Sequence, residues 1–327
     1  MGGGFSINRH VVAGKWKILV TPEEACQSLA RIPKSLLSRC EMTPTGGRID
    51  DEQRLAELLG RHDAVMLDIE RITSDLLQRC PRLRVISRFG VGYDRIDLDA
   101  ARQHQVRVTT TAGVATRAVA RHALSLMLAL AHRVVENDAN LKAGRWQRQP
   151  NEPVEALTLG VAGFGRIGEA TARMASAIGF RVLVWSPHRR RTPYAWARSL
   201  RALLQRADVV SLHLKLTPET QRIIGAPELE ALRGKLLINT ARGGLVDESA
   251  VLHALQSGAL RGYATDVLCH EPPTDVSQAL VQHPRVIASP HVAAMDRHTA
   301  QHMTERALEN IVHSLRGVHD KVDAYVV

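Results

Sequence analysis

The sequence predicts an α/β protein of two doubly wound, parallel-sheet domains. Its 327 residues are enough for two separate cores. Short apolar runs alternate with helical segments, the pattern of parallel strands joined by crossover helices. The alternation comes in two blocks, on either side of one long apolar helical segment.

In the first block, Lys17-Ile18-Leu19-Val20 reads as a strand closed by the turn signal Thr21-Pro22. Residues 51–60 place Leu55, Leu58 and Leu59 at helical spacing, with Gly60 as the stop. Ala64 to Leu67 reads as a strand, Ser74 to Cys80 as a helix ended by Pro81, and Leu83 to Ser87 as the next strand. The first dozen residues read as a loose tail.

Residues 116–142 read as one long helix. Ala118, Val119, Ala120, Ala123, Leu124, Met127, Leu128 and Leu130 give it an apolar surface wide enough for a core or a subunit interface. The second block follows. Strand 157–162 leads into helix 166–178 and strand 181–185, and further strands are expected at 208–212, 236–239, 259–265 and 286–288. The last helix, 297–315, comes after this block, which suggests a return of the chain to the first domain.

The net charge of +10 comes mostly from arginine, since only seven of the 43 basic residues are lysine. No nucleic-acid-binding motif accompanies it, so the expectation is a basic surface suited to a small anionic substrate and a phosphate-bearing cofactor, with no nucleic-acid partner. The longest apolar stretch, Ala123 to Ala131, is too short to span a bilayer, and no run resembles a signal peptide. Cys26, Cys40, Cys80 and Cys269 are far apart and form no Cys-x-x-Cys. No metal site is expected, disulfides have no positive case, and the expected location is cytoplasmic. His298 and His302, four apart on a helix, read as solvent-facing residues.

Gly163-Phe164-Gly165-Arg166-Ile167-Gly168 follows an apolar strand and opens a helix. That context marks a Rossmann dinucleotide loop. Gly163 permits the tight turn, Gly165 lets backbone approach a pyrophosphate, and Gly168 allows close helix–strand packing. The N–H groups of the helix start, at Arg166 and Ile167, face the phosphates. The second strand ends in Trp185-Ser186-Pro187-His188-Arg189-Arg190-Arg191, without the acid that binds a free ribose 2′-hydroxyl. Ser186, His188 and Arg189 can instead meet a 2′-phosphate, so NADP(H) is the preferred cofactor and NAD(H) the alternative.

Arg242 stands in Asn239-Thr240-Ala241-Arg242-Gly243-Gly244, Glu271 before Pro272, and His291 in Ser289-Pro290-His291. A guanidinium can hold a carboxylate and a carbonyl oxygen together, an imidazole can exchange a proton near neutrality, and a carboxylate can orient and charge that imidazole. Together, downstream of a nucleotide loop, they constitute a hydride-transfer constellation.

This order and context resemble the D-isomer-specific 2-hydroxyacid dehydrogenases, from about Lys17 to about Gly317. The resemblance is greatest to the short glyoxylate/hydroxypyruvate reductase and D-3-phosphoglycerate dehydrogenase-like branches. It implies a Rossmann domain at 113–293, inserted in a flavodoxin-like substrate domain at 1–112 and 294–327. It implies an enzyme interconverting small 2-keto and D-2-hydroxy acids, with Arg242, Glu271 and His291 catalytic. Gly90, Val91 and Gly92 match the loop that holds the substrate carboxylate, alongside Arg242. His213, Thr220, Thr240, Ala241 and Asp266 match cofactor-side positions. A homodimer built partly on the long apolar helix is also implied. Lys215, Ala115, Arg121 and Ala293-Ala294 depart from the family pattern, and Arg121 reverses a charge. The alternative is a non-enzymatic dinucleotide sensor like the C-terminal-binding corepressors. The absence of an appended interaction tail in the sequence favours the enzyme.

Overall fold

The structure, a computed structural model, describes residues 15–148, 150–322 and 324–327. The expected N-terminal tail lies outside the described residues. The chain divides into two compact units.

Unit 1 comprises the chain up to Ala112 and Ala300–Val327. In order it holds β1 (Trp16–Val20), α1 (Glu23–Ser28), α2 (Lys34–Leu37), β2 (Cys40–Pro44), α3 (Glu52–Leu59), β3 (Ala64–Leu67), α4 (Ser74–Gln78), β4 (Val85–Arg88), α5 (Leu98–Gln103) and β5 (Arg107–Thr110). Its sheet is parallel throughout, in the order β2-β1-β3-β4-β5, the flavodoxin-like winding. Strands β3 and β4 are buried at every residue, as strands covered on both faces must be. Helices α3, α4 and α5 start at Asp51, Thr73 and Asp97, whose side chains accept the backbone N–H three residues on.

Unit 2 is Gly113–Thr299. It holds α6 (Thr116–Ala131), α7 (Val134–Lys142), β6 (Thr158–Ala162), α8 (Arg166–Ala177), β7 (Arg181–Trp185), β8 (Ala195–Trp196), α9 (Leu200–Arg206), β9 (Val209–Leu212), α10 (Ala226–Ala231), β10 (Leu236–Asn239), α11 (Glu248–Gln256), β11 (Gly262–Thr265), α12 (Asp275–Val281) and β12 (Val286–Ala288). The sheet is seven-stranded and parallel, in the order β12-β11-β10-β9-β6-β7-β8. Counted from β6, that is the dinucleotide-binding order 3-2-1-4-5-6 with one strand added at the edge. The chain reverses direction across the sheet between β6 and β9, so the loops that follow these two strands meet. The last helix, α13 (Arg297–Arg316), carries the chain from one unit into the other.

Three expectations need correction. Residues 116–142 are two helices bent by 54°, because His132 caps α6 and Arg133 takes a left-handed φ of 53°. The apolar residues of α6 are taken up inside unit 2, with Ala123, Leu126 and Met127 buried and Leu124, Leu128 and Leu130 packed against the same core. The exposed apolar side chains come later, at Val134, Val135, Leu141 and Trp146. The return to unit 1 falls after Thr299 rather than after 293, since hydrogen bonds from Val292 and Ala293 and an ion pair of Asp296 tie this segment to unit 2. Among the described residues, no single helix is long and apolar enough to cross a membrane.

Candidate active site

The glycine loop ends β6. Gly163 has φ +99°, and a Cβ there would lie 2.4 Å from the carbonyl oxygen of His213. The loops after β6 and β9 thus touch through bare backbone. They are also joined by His213 N–H donating to Ala162 O at 2.7 Å. A Cβ on Gly168 would lie 2.0 Å from Gly163 O, so α8 rests directly on the loop. Gly165 is the opposite case, with nothing within 4 Å of an added Cβ. Open space therefore lies in front of the α8 N-terminus, where Arg166 is exposed and Ile167 half-buried. The free N–H groups and positive dipole end there fit a pyrophosphate.

At the end of β7, Ser186 is half-buried, and His188, Arg189 and Arg190 are exposed. The Arg189 guanidinium lies over the Trp196 ring, 5.7 Å from its centroid. Arg190 Nη1 donates to Phe164 O of the glycine loop at 3.4 Å. A run of three arginines gives no sign in the sequence of which one is tethered.

The remaining cofactor-side candidates lie along the same sheet edge. His213 Nε2 pairs with Ser211 Oγ at 2.9 Å, and burial pushes the imidazole pKa down to about 4, so it is neutral at pH 7. The Thr220 hydroxyl holds its own loop, donating to Lys215 O at 2.6 Å. The Asn239 side chain braces the next turn, accepting from Ala241 N–H and donating to Arg242 O. Thr240 is buried, and its Oγ1 has no hydrogen-bond partner among the described residues.

Arg242, half-buried, follows this turn. Gly243 beside it has no room for a Cβ, which would lie 2.1 Å from the backbone carbon of Leu268. That close approach sets the 240–243 turn against the 268–271 loop. Glu271 Oε1 there accepts from Leu268 N–H at 2.9 Å, and Oε2 contacts His291 Nδ1 at 2.9 Å. A carboxylate can only accept, so Nδ1 carries the proton and Nε2 is left to exchange one. Burial would raise the Glu271 carboxyl, but the His291 contact, Leu268 N–H and Arg242 outweigh it and hold the pKa below the ordinary range. The three catalytic candidates are thus gathered at the carboxyl edge of one sheet.

His291 sits in a left-handed turn, φ 57°, wound around Asp266. The Asp266 carboxylate is 1% exposed. Its Oδ1 accepts from Ser289 Oγ at 2.6 Å and Val292 N–H at 2.9 Å, and its Oδ2 from Ala293 N–H at 2.9 Å. Burial would raise its pKa, but donors from His122, Ser289, Ala293 and Val292 hold it low. A second buried carboxylate, Glu248, accepts from Cys269 N–H and Ser277 Oγ and anchors the loop that carries Glu271. Sequence reasoning missed Glu248, Ser289 and His122, which no local pattern distinguishes. The charge reversal at Arg121 is met by Asp296, 3.2 Å away on the surface.

Gly90, Val91 and Gly92 belong to unit 1 and follow β4. Gly90 has φ +139°, and a Cβ there would lie 2.0 Å from Arg88 Nη1, so only glycine fits. Its carbonyl accepts from Thr111 N–H. Val91 is exposed and Gly92 half-buried.

The family described as "D-isomer specific 2-hydroxyacid dehydrogenase, NAD binding domain" matches residues 124–293. The chain is 31% identical over 322 residues to a glyoxylate reductase of Thermococcus litoralis, covering 93% of this chain and 95% of that one. It is 34% identical over 308 residues to glyoxylate/hydroxypyruvate reductase B of Escherichia fergusonii, covering 89% and 94%. Among solved structures it resembles the D-lactate dehydrogenase of Aquifex aeolicus complexed with NAD and lactic acid. The TM-score is 0.85 at 26% identity, over 95% of this chain and 99% of that one.

The depressed carboxyls predict an acid limb of stability. Each contributes stability that is fully present above its ordinary value, 4.5 for Glu271 and 3.8 for Asp266, and is lost as pH falls through the lower folded value. Melting temperatures followed downward from neutrality should fall below these values. The fall should be shallower in Glu271→Gln, which has no carboxylate to protonate; an identical pH dependence in the variant would exclude the Glu271 share.

Proposed function

The chain belongs to the D-isomer specific 2-hydroxyacid dehydrogenase family, and on that premise we propose that it is an NAD(P)-dependent oxidoreductase moving a hydride between the nicotinamide and a small 2-keto or D-2-hydroxy acid. The observation that carries this reading is the His291 Nδ1–Glu271 contact, with Arg242 near enough to act on the same carboxylate. The substrate class is that of glyoxylate, hydroxypyruvate or 3-phosphoglycerate, after the names of its relatives. Nothing favours the non-enzymatic sensor reading.

A nicotinamide dinucleotide, when bound, would supply the hydride for the substrate carbon. Arg242 holds the substrate carboxylate and polarises the carbonyl. His291 delivers a proton from Nε2 to the carbonyl oxygen, while Nδ1–H stays on Glu271. Oxidation runs the same proton back to a neutral ring. Gly90, Val91 and Gly92 are proposed as backbone donors to the substrate carboxylate. Gly163, Gly165, Arg166, Ile167 and Gly168 are proposed to hold the pyrophosphate, with His213, Thr220, Thr240 and Ala241 on the cofactor side. Asp266 is proposed to join them by supporting the 289–293 turn. A cytoplasmic location suits the four free cysteines.

His291→Ala and Arg242→Ala should each lose most turnover of 2-keto acids while still binding cofactor. Removal of a general acid costs ~10²–10⁴-fold, and near-normal kcat/KM in either variant would end the assignment.

NADPH should be preferred over NADH. Ser186 follows directly on β7, the place where a carboxylate binds an unphosphorylated ribose, and the tethered Arg190 comes four residues later. One charge-assisted hydrogen bond, worth roughly 1.5–3 kcal/mol, gives about ten-fold discrimination or more. Ser186→Asp should weaken NADPH and help NADH, measured as kcat/KM for each. A parent enzyme faster with NADH would reverse the reading of this loop.

A homodimer is also proposed, now through Val134, Val135, Leu141 and Trp146, which is 80% exposed. Light scattering across micromolar concentrations should give twice the monomer mass, and Trp146→Ala should lower it at dilution. A concentration-independent monomer would refute the proposal.

A further inference from the structure

His122 projects from α6, a helix with no assigned part in the chemistry. Its Nε2 lies 2.8 Å from Ser289 Oγ and 3.4 Å from Asp266 Oδ1. Ser289 has a single hydroxyl proton, and its 2.6 Å contact with the buried Asp266 carboxylate uses it. The remaining contact of Ser289 Oγ must therefore be accepted, and His122 Nε2 must carry the proton that it donates. The direction of the chain is fixed from His122 to Ser289 to Asp266. Asp266 in turn accepts from Val292 and Ala293, and its own carbonyl accepts from His291 N–H at 2.9 Å.

We propose that His122 is a positioning residue for His291. It donates to Ser289, keeps the Ser289 hydroxyl on Asp266, and so holds the left-handed turn that presents the imidazole to Glu271. The inference rests on the proposed dehydrogenase reading.

The helix is suited to the task. α6 packs along α8 and across β10 and β11. On the turn before His122, Ala118, Val119 and Ala120 are buried, and on the turn after it Ala123, Leu126 and Met127. A side chain on such a helix is placed by the core. The segment it grips is not, since Val292 and His291 are partly exposed. Left-handed backbone at a residue other than glycine costs about 1–3 kcal/mol and persists only where its surroundings over-determine it. Arg121, the neighbour of His122, adds a surface ion pair to Asp296 beyond the same turn. Two consecutive residues of α6 thus hold the two ends of the His291 segment.

The test uses the full-length protein and two readouts. Hydrogen–deuterium exchange of the peptide spanning 289–293 reports the turn directly, with or without turnover. In His122→Ala, exchange there should rise while α8 and β6 stay protected. In steady-state reduction of a 2-keto acid, kcat should fall about 10- to 100-fold, the scale of a misplaced catalytic group, with KM for the dinucleotide little changed. His122→Gln, whose amide nitrogen falls near the place of Nε2, should restore much of both. Ser289→Ala should reproduce the loss, and the double variant His122→Ala/Ser289→Ala should be no worse than either single, because both cut one chain of bonds. Unchanged exchange at 289–293 in His122→Ala overturns the positioning role whatever the turnover. Raised exchange with unchanged kcat also overturns it. Failure of the parent with every 2-keto acid, while exchange responds as expected, overturns the dehydrogenase reading instead.

Discussion

The buried carboxylate of Asp266 is the interaction on which the candidate active site depends. It stands at the end of β11, where the sheet gives way to loop. An uncompensated buried charge costs several kcal/mol, so its oxygens have to be met by donors. The nearest are those of the 289–293 segment, and meeting them winds that segment into a tight turn. His291 is thereby forced into left-handed backbone, which aims its ring at Glu271. The geometry of the candidate pair, Glu271 and His291, is a consequence of satisfying one charge beneath it. Glu248 repeats the device on the other side, tying Cys269 and Ser277 and steadying the loop on which Glu271 rides.

A second constraint acts at the reversal of strand order. The loops after β6 and β9 approach so closely that Gly163 has only backbone for a neighbour. Closing that gap leaves the start of α8 clear of side chains at Gly165. Tight packing at one glycine and open space two residues later are both needed, the first to place the helix and the second to let an anion reach it. A side chain at either position would defeat a different half of the arrangement.

The fold was legible because parallel strands are buried on both faces and appear as unbroken apolar runs, as at Ala64–Leu67 and at Leu236, Leu237 and Ile238. The crossover at β8 was not, since a two-residue strand carries no periodicity. The break between α6 and α7 was hidden because no glycine or proline marks it; Arg133 takes the left-handed conformation itself. Arg242, Glu271 and His291 could be named as candidates from their local contexts, and they lie together. Their mutual support could not, because it runs through pairs such as His122 and Ser289, which are 167 residues apart. Local chemistry shows which side chains can react, whereas buried partners at long range decide where they point.

The loop after β7 is held by partners of the same long-range kind. An arginine run on a surface is ordinarily solvated, and an exposed ion pair would neutralise it at small gain. Here the anchors are neutral. Arg189 lies on an indole and Arg190 on a backbone carbonyl, and the tryptophan meets Phe164 of the glycine loop edge to face, 6.2 Å between centroids. Anchors of this kind fix position without cancelling charge. The positive potential they leave adds to that of the α8 N-terminus, since both are held against the same loop. On the proposed reading of the site, tethering the cations to the glycine loop would couple recognition of the pyrophosphate to recognition of the ribose. A dinucleotide with a negative group on that ribose would then gain from both, whereas one without it would gain only from the helix.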